Sequence, residues 1–164
     1  MITLHLADSA ATAAAGARMA TVLAGGVIVT LSGDLGSGKT TLVRGCLRAL
    51  GWAGPVKSPT YTVVEHYPIS SIYFYHFDFY RFADPSEWET AGLAECFRPD
   101  AVCLIEWPER VRGLLPSPDL AITLTHPGNP DQDGRNCVLD ARTEAGDRCR
   151  NAMTVQTHPP GRTA

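Results

Sequence analysis

Val27-Ile28-Val29-Thr30-Leu31-Ser32-Gly33-Asp34-Leu35-Gly36-Ser37-Gly38-Lys39-Thr40-Thr41-Leu42-Val43 changes character twice in a short span. It opens as a β-branched apolar run without polar alternation, the pattern of a strand buried on both faces of a parallel sheet. It then becomes glycine-rich. It closes as the start of an amphipathic helix with Leu42, Val43, Cys46, Leu47 and Leu50 on one face, ended by Gly51. The middle segment, Gly33 to Thr40, satisfies G-x-x-x-x-G-K-[ST] at every fixed position. Glycines let backbone N–H groups approach phosphate oxygens and form an anion-binding nest. The following helix aims the positive end of its dipole at the same point. Lys39 supplies a cation for the outer phosphates, and the Thr40 hydroxyl is a hard oxygen ligand suited to Mg²⁺. Strand, loop and helix in this order predict a nucleoside triphosphate cradle.

The flanking sequence predicts a matching fold. Ile2 to Leu6 alternate as a short strand, Asp8 or Ser9 offers a helix N-cap, and Gly25-Gly26 closes the first helix. Tyr61 to Glu65 and the aromatic Ile72 to Phe79 read as strands. Asp84-Pro85-Ser86-Glu87 is a helix start with a capping acid, and that helix stops near Gly92. Ala101 to Ile105 is a second continuous apolar run, and thus a central strand. Leu120 to Leu124 and Cys137 to Leu139 complete the set. The expected architecture is α/β: a three-layer P-loop NTPase-like fold with a central, mostly parallel sheet and antiparallel strands at the Tyr61–Phe79 edge. Residues 1–140 form one domain. The polar residues 141–164, with His158-Pro159-Pro160-Gly161 near their end, are expected to be a partly disordered tail.

Composition narrows the function. The 164 residues carry a formal net charge of -3, which disfavours direct grip on nucleic acid, since phosphate contacts need Lys and Arg. Five cysteines without a C-x-x-C pair argue against a disulfide framework and a zinc site, and for reduced thiols in the cytoplasm. Neither a signal peptide nor a membrane-spanning run is read.

A P-loop needs a second magnesium anchor, usually an acid at the end of a neighbouring buried strand. Glu106 follows Ala101–Ile105 and fits best. Asp78, on the same strand face as His76 and Tyr80, is the other candidate, with a salt bridge to Arg81 as its structural alternative. His76 is expected to be a packed strand residue rather than a catalytic base. Trp107 could flank the nucleotide or anchor the core. Tyr73, Tyr75, Phe77 and Phe79 are expected to fill core or interface. The chain has no N-K-x-D guanine reader, and the D-x-x-G at Asp131 to Gly134 lies too late for a switch. ATP is the expected base.

Together with the P-loop, three further segments resemble the TsaE (YjeE) family. They are Val56-Lys57-Ser58-Pro59-Thr60-Tyr61-Thr62, His76-Phe77-Asp78-Phe79-Tyr80-Arg81 and Ile105-Glu106-Trp107-Pro108. The likeness covers roughly Leu4 to Leu139. It implies a P-loop ATPase required for N6-threonylcarbamoyladenosine in tRNA, with ATP held by Gly33 and Leu35 to Thr40. It places magnesium ligands at Thr40 and Glu106, with Lys39, Asp78 and Glu106 as the catalytic set. Sensitive positions fall at Thr41, Asp78 and Trp107. More loosely, Ser9 falls near the adenine and Arg135 near the nucleotide. The implied partners are TsaB and TsaD, and tRNA is reached only through them. Ser37 stands where many members have alanine. A P-loop small-molecule kinase and a non-hydrolysing, nucleotide-dependent interaction module are the rival readings.

Overall fold

The computed structural model describes residues 1–69, 72–128 and 134–155. The expected turn at 129–133, including the start of the D-x-x-G segment, and the proline-rich end lie outside those residues. Among the described residues the elements are β1 (Ile2–Leu6), α1 (Ser9–Ala20), β2 (Ile28–Ser32), α2 (Lys39–Ala49), β3 (Val64–Ile69) and β4 (Ile72–Asp78). They continue as α3 (Ser86–Thr90), β5 (Ala101–Glu106), β6 (Leu120–Thr125), β7 (Arg135–Ala141) and α4 (Glu144–Thr154). Short 3-10 turns occupy Leu93–Cys96 and Pro108–Val111.

The strands form one sheet in the order β1-β7-β6-β2-β5-β4-β3. β6, β2, β5 and β4 run parallel to their neighbours in that order. β3 joins β4 antiparallel, and β7 and β1 join antiparallel at the opposite edge. The expected parallel centre is present, but the sheet is mixed, because antiparallel strands close both edges, not one, and make three of its six pairings. The parallel centre matches its sequence: every residue of β5 is buried, because helices or turns cover both of its faces.

α1, α2 and α4 pack on one face, where Leu42, Val43, Cys46 and Leu47 of α2 meet Val29, Leu31 and Leu104 of the sheet. Each such fully buried aliphatic side chain contributes about 1.5–3 kcal/mol relative to exposure. α1 and α2 approach so closely that a Cβ on Gly45 would strike the backbone of Ala13. On the other face Phe77, Phe79, Phe82 and Trp88 build a second cluster over β4 and β5. Phe77 stacks on Phe79 and on Phe97, with centroids 5.7 and 5.4 Å apart. The face expected for Tyr73, Tyr75 and Phe77 is thus core at its Phe77 end and partly exposed at Tyr73.

Two expectations need correction. The strand read at Tyr61 to Glu65 begins at Val64 instead. Val63 has φ 67 and donates its N–H to the Pro59 carbonyl at 2.7 Å, so the residues before it turn rather than extend. The chain after 141 is not a tail as far as residue 154, because α4 follows. Thr143 caps it by accepting the Gly146 N–H at 3.1 Å. Cys149 and Met153 sink into the core, and the Arg18 guanidinium donates to the Met153 carbonyl. The sequence there is polar because the helix buries only one narrow stripe. The cysteines are free. Burial pushes the Cys103 and Cys137 thiols up to about 12. No helix among the described residues is long and apolar enough to cross a membrane.

Candidate nucleotide site

The P-loop leaves β2 and enters α2 where the parallel strands end, the usual position for a ligand on an open α/β sheet. Gly33, Gly36 and Gly38 have φ of 139, 78 and 103. Side chains rarely tolerate such angles, which explains the glycine spacing. Gly38 is the N-cap residue of α2, so the loop delivers the helix N-terminus into the cradle.

Lys39 is buried. Its ammonium donates to the carbonyls of Gly33 at 2.6 Å and Asp34 at 2.9 Å, and lies 4.2 Å from the centroid of Trp107. Burial pushes its pKa below the ordinary lysine value, while the nearby Glu106 and Asp78 carboxylates pull it back. Trp107 therefore does two things. It backs the lysine, and it packs against the second apolar cluster.

One helical residue on, the Thr40 hydroxyl donates to Glu106 Oε1 at 2.8 Å. The same oxygen lies 2.8 Å from His76 Nε2. Glu106 ends β5 and pairs in register with Asp78 at the end of β4. Asp78 accepts the Ser58 hydroxyl on Oδ2 and the Tyr80 N–H on Oδ1 at 2.8 Å, with the Thr60 hydroxyl 3.4 Å away. Arg81 makes no pair with it, standing instead 4.5 Å from the centroid of the exposed Tyr61 ring. The Ser58–Thr60 loop is thus tied by hydroxyls to the strand end beside Glu106. A cleft of about 230 Å³ joins Lys39, Thr40, Ser58, Asp78, Glu106 and Trp107.

A second cleft, of about 440 Å³, lies on the other side of the loop, toward α1 and β7. Asp8, Ser9, Thr12, Ser37, Thr41 and Arg135 face it. Asp8, not Ser9, caps α1, accepting the Ala11 N–H at 2.7 Å. Arg135 donates to the carbonyls of Ser37 at 3.1 Å and Gly36 at 3.2 Å. It therefore holds the loop from outside and presents a charge at the cleft.

The fold brings all the candidate residues to this one loop. Lys39, Thr40, Asp78 and Glu106 lie on one side, and Ser9 and Arg135 on the other. Thr41 borders both clefts, and Leu35 stands exposed at the first. Sequence reasoning missed Thr12, which only the folding of α1 against the loop reveals. It also missed the tie from His76 to Glu106. The sequence carried only the local half of that signal, since His76 is one strand period from Asp78 on the same face; that this strand lies beside the one ending in Glu106 comes from the fold. The donors fit magnesium, being a hydroxyl and a carboxylate, both hard oxygens. Among the described residues no cluster of three or more His, Cys, Asp or Glu could hold a metal alone, so a cation here would share its ligands with phosphate.

Comparison with known proteins agrees with the geometry. The family model described as threonylcarbamoyl adenosine biosynthesis protein TsaE matches residues 6–136. The chain is 46% identical over 128 residues to the tRNA threonylcarbamoyladenosine biosynthesis protein TsaE of Haemophilus influenzae, covering 78% of each chain. It is 39% identical over 108 residues to the Bacillus subtilis protein of the same name, covering 66% of this chain and 67% of that one. The crystal structure of Bacillus subtilis YdiB superposes with a TM-score of 0.77 at 27% identity over 93% of both chains. With the P-loop, the Ser58–Thr62 loop and the Glu106 strand end assembled around one cradle, the chain belongs to the TsaE family of threonylcarbamoyl adenosine biosynthesis proteins.

Proposed function

We propose that this protein binds and hydrolyses Mg-ATP as an accessory subunit of tRNA threonylcarbamoyladenosine synthesis, supporting turnover of a TsaB–TsaD transferase in the cytoplasm. The observation that carries the ATPase part is the Thr40–Glu106 hydrogen bond at 2.8 Å. It joins the P-loop hydroxyl to the acid at the neighbouring strand end, the paired anchor a triphosphate-bound cation requires. The family names carry the pathway.

Each residue has a part in this reading. The loop N–H groups and the α2 N-terminus hold the phosphates, and Lys39 neutralises the outer ones. Thr40 and Glu106 would hold Mg²⁺, which supplies charge neutralisation between phosphate oxygens. Such a cation is needed, because two buried carboxylates, Asp78 and Glu106, otherwise repel a triphosphate. Asp78 places Ser58 and Thr60 against the phosphate-side cleft, giving the site a loop that can report whether the last phosphate is present. Ser9 and Arg135 would border the nucleoside. Transfer to tRNA belongs to the partner, so tRNA is met only through the complex.

The test is reconstitution of tRNA modification with TsaB and TsaD, with and without this protein, alongside its ATPase rate. Slow hydrolysis alone, faster hydrolysis with the partners and loss of multiple turnover on omission are expected. An ATPase rate indifferent to TsaB and TsaD would sink the coupled role. Full support of modification by a Glu106→Gln protein that cannot hydrolyse would leave a nucleotide-dependent binding module. Phosphate transfer to an added small acceptor would make it a kinase.

A further inference from the structure

His76 is fully buried on β4, at 0% exposure. Its Nε2 is 2.8 Å from Glu106 Oε1, and among the described residues its Nδ1 has no hydrogen-bond partner. Glu106 Oε1 also receives the Thr40 hydroxyl at 2.8 Å. An ionised carboxylate only accepts hydrogen bonds, so the ring must donate through Nε2. A ring carrying its proton on Nδ1 instead would aim two lone pairs at each other and bury an N–H without an acceptor, which costs more than a buried acceptor left alone. The two donors reach one oxygen from different elements, α2 and β4, while the carboxylate itself belongs to β5. Neither bond uses Oε2 of Glu106.

We propose that His76 is a positioning residue for Glu106: donating through Nε2–H, it fixes the carboxylate so that one oxygen holds Thr40 and the other stays turned to the cation site. The inference rests on the Mg-ATP reading above. Thr40 can keep donating its proton to Oε1 while the hydroxyl lone pairs face the metal. His76 satisfies the remaining capacity of Oε1 and stops the carboxylate from rotating toward Lys39. It acts as an outer-shell partner of a metal ligand, a class whose loss weakens metal affinity or activity by about 10–100-fold. It needs no contact with the nucleotide.

The experiment measures binding of a fluorescent N-methylanthraniloyl-ATP in EDTA and in Mg²⁺ to wild type, His76→Phe and His76→Gln. Phe keeps the ring volume among the aromatics and removes the donor. Gln places an amide N–H near the position of Nε2. His76→Phe should bind in EDTA within about twofold of wild type, yet lose about tenfold of the magnesium-dependent gain, and His76→Gln should recover most of it. A gain retained in His76→Phe overturns the proposal, as does an equal loss in EDTA and Mg²⁺, which would mark a merely structural residue. Absence of any magnesium gain in wild type would instead overturn the site reading itself. Long-range ¹H–¹⁵N spectra of the wild-type chain give an independent check that needs no variant. A proton on Nε2 is expected, and an Nε2 without one overturns the assignment.

Discussion

The two clefts beside the P-loop are built from the same loop but held very differently. On the side of the cleft toward the ends of β4 and β5, Lys39, His76, Asp78 and Glu106 are each at most 4% exposed, and each has a partner supplied by another segment of the chain. On the α1–β7 side Asp8 and Ser9 are exposed and Arg135 is half-buried. The difference follows from position in the sheet. β2, β5 and β4 are central or near-central parallel strands, so their ends are fixed by packing on both faces. The second cleft is formed where β1 and β7 meet at an antiparallel edge covered on one face by α1 and α4. Under the proposed ATPase function, preorganised charges belong where charge changes during reaction. A looser wall suffices where a ligand is only held.

Substitutions can break or sharpen this contrast. The largest effect is expected from Lys39→Ala. Mg-ATP at about a hundred times its Kd should stabilise wild type by about 2.7 kcal/mol, seen as a rise in melting temperature. The variant should show no rise, and an unchanged rise would remove the lysine from the binding account. Glu106→Gln should come next. Its hydrolysis should fall by about a hundredfold while Mg-free nucleotide affinity stays near wild type, read by phosphate release and equilibrium binding. A loss confined to affinity would place Glu106 on the wrong side of the contrast.

Arg135→Ala probes the looser cleft. It should raise the ATP KM by about tenfold, or 1.4 kcal/mol, with kcat little changed, as expected for uniform binding. A fall in kcat instead would mean that Arg135 sets the phosphate geometry through its bonds to Gly36 and Ser37. The smallest effect should come from Thr143→Ala, which removes the α4 cap and the hydroxyl bond to Asp119. A loss of about 1 kcal/mol in denaturant unfolding is expected, together with a modest rise in ATP KM, because α4 supports the edge that carries Arg135. No change in KM would separate α4 from the cleft.

The two clefts also differ in how legible they were. Gly33 to Thr40 could be read alone, because short-range backbone geometry dictates each fixed residue. Glu106 was readable because a continuous apolar run followed by an acid is the signature of a buried strand end. Ser9 and Arg135 were reached only through family resemblance, since nothing local to either residue points to phosphate. The turn before Val64 was missed because Tyr61 to Glu65 has strand propensity, which the tie of Ser58 to Asp78 and the Val63–Pro59 bond override. α4 was missed because its polar composition resembles a tail, although Cys149 and Met153 lie four apart, as one face of a helix requires.

The sequence by itself determined the parallel centre, the glycine-rich strand–loop–helix turn and the candidate pairing of Thr40 with an acid after a buried strand. These depend on periodicity and on residues with unusual backbone freedom, both written locally. Tertiary structure alone decided that antiparallel strands close both edges, that α4 seals one of them, and that His76 and Ser58 hold Glu106 and Asp78. Those choices depend on which strands become neighbours. Neighbouring strand ends bring together residues dozens of positions apart, and no local pattern encodes that meeting.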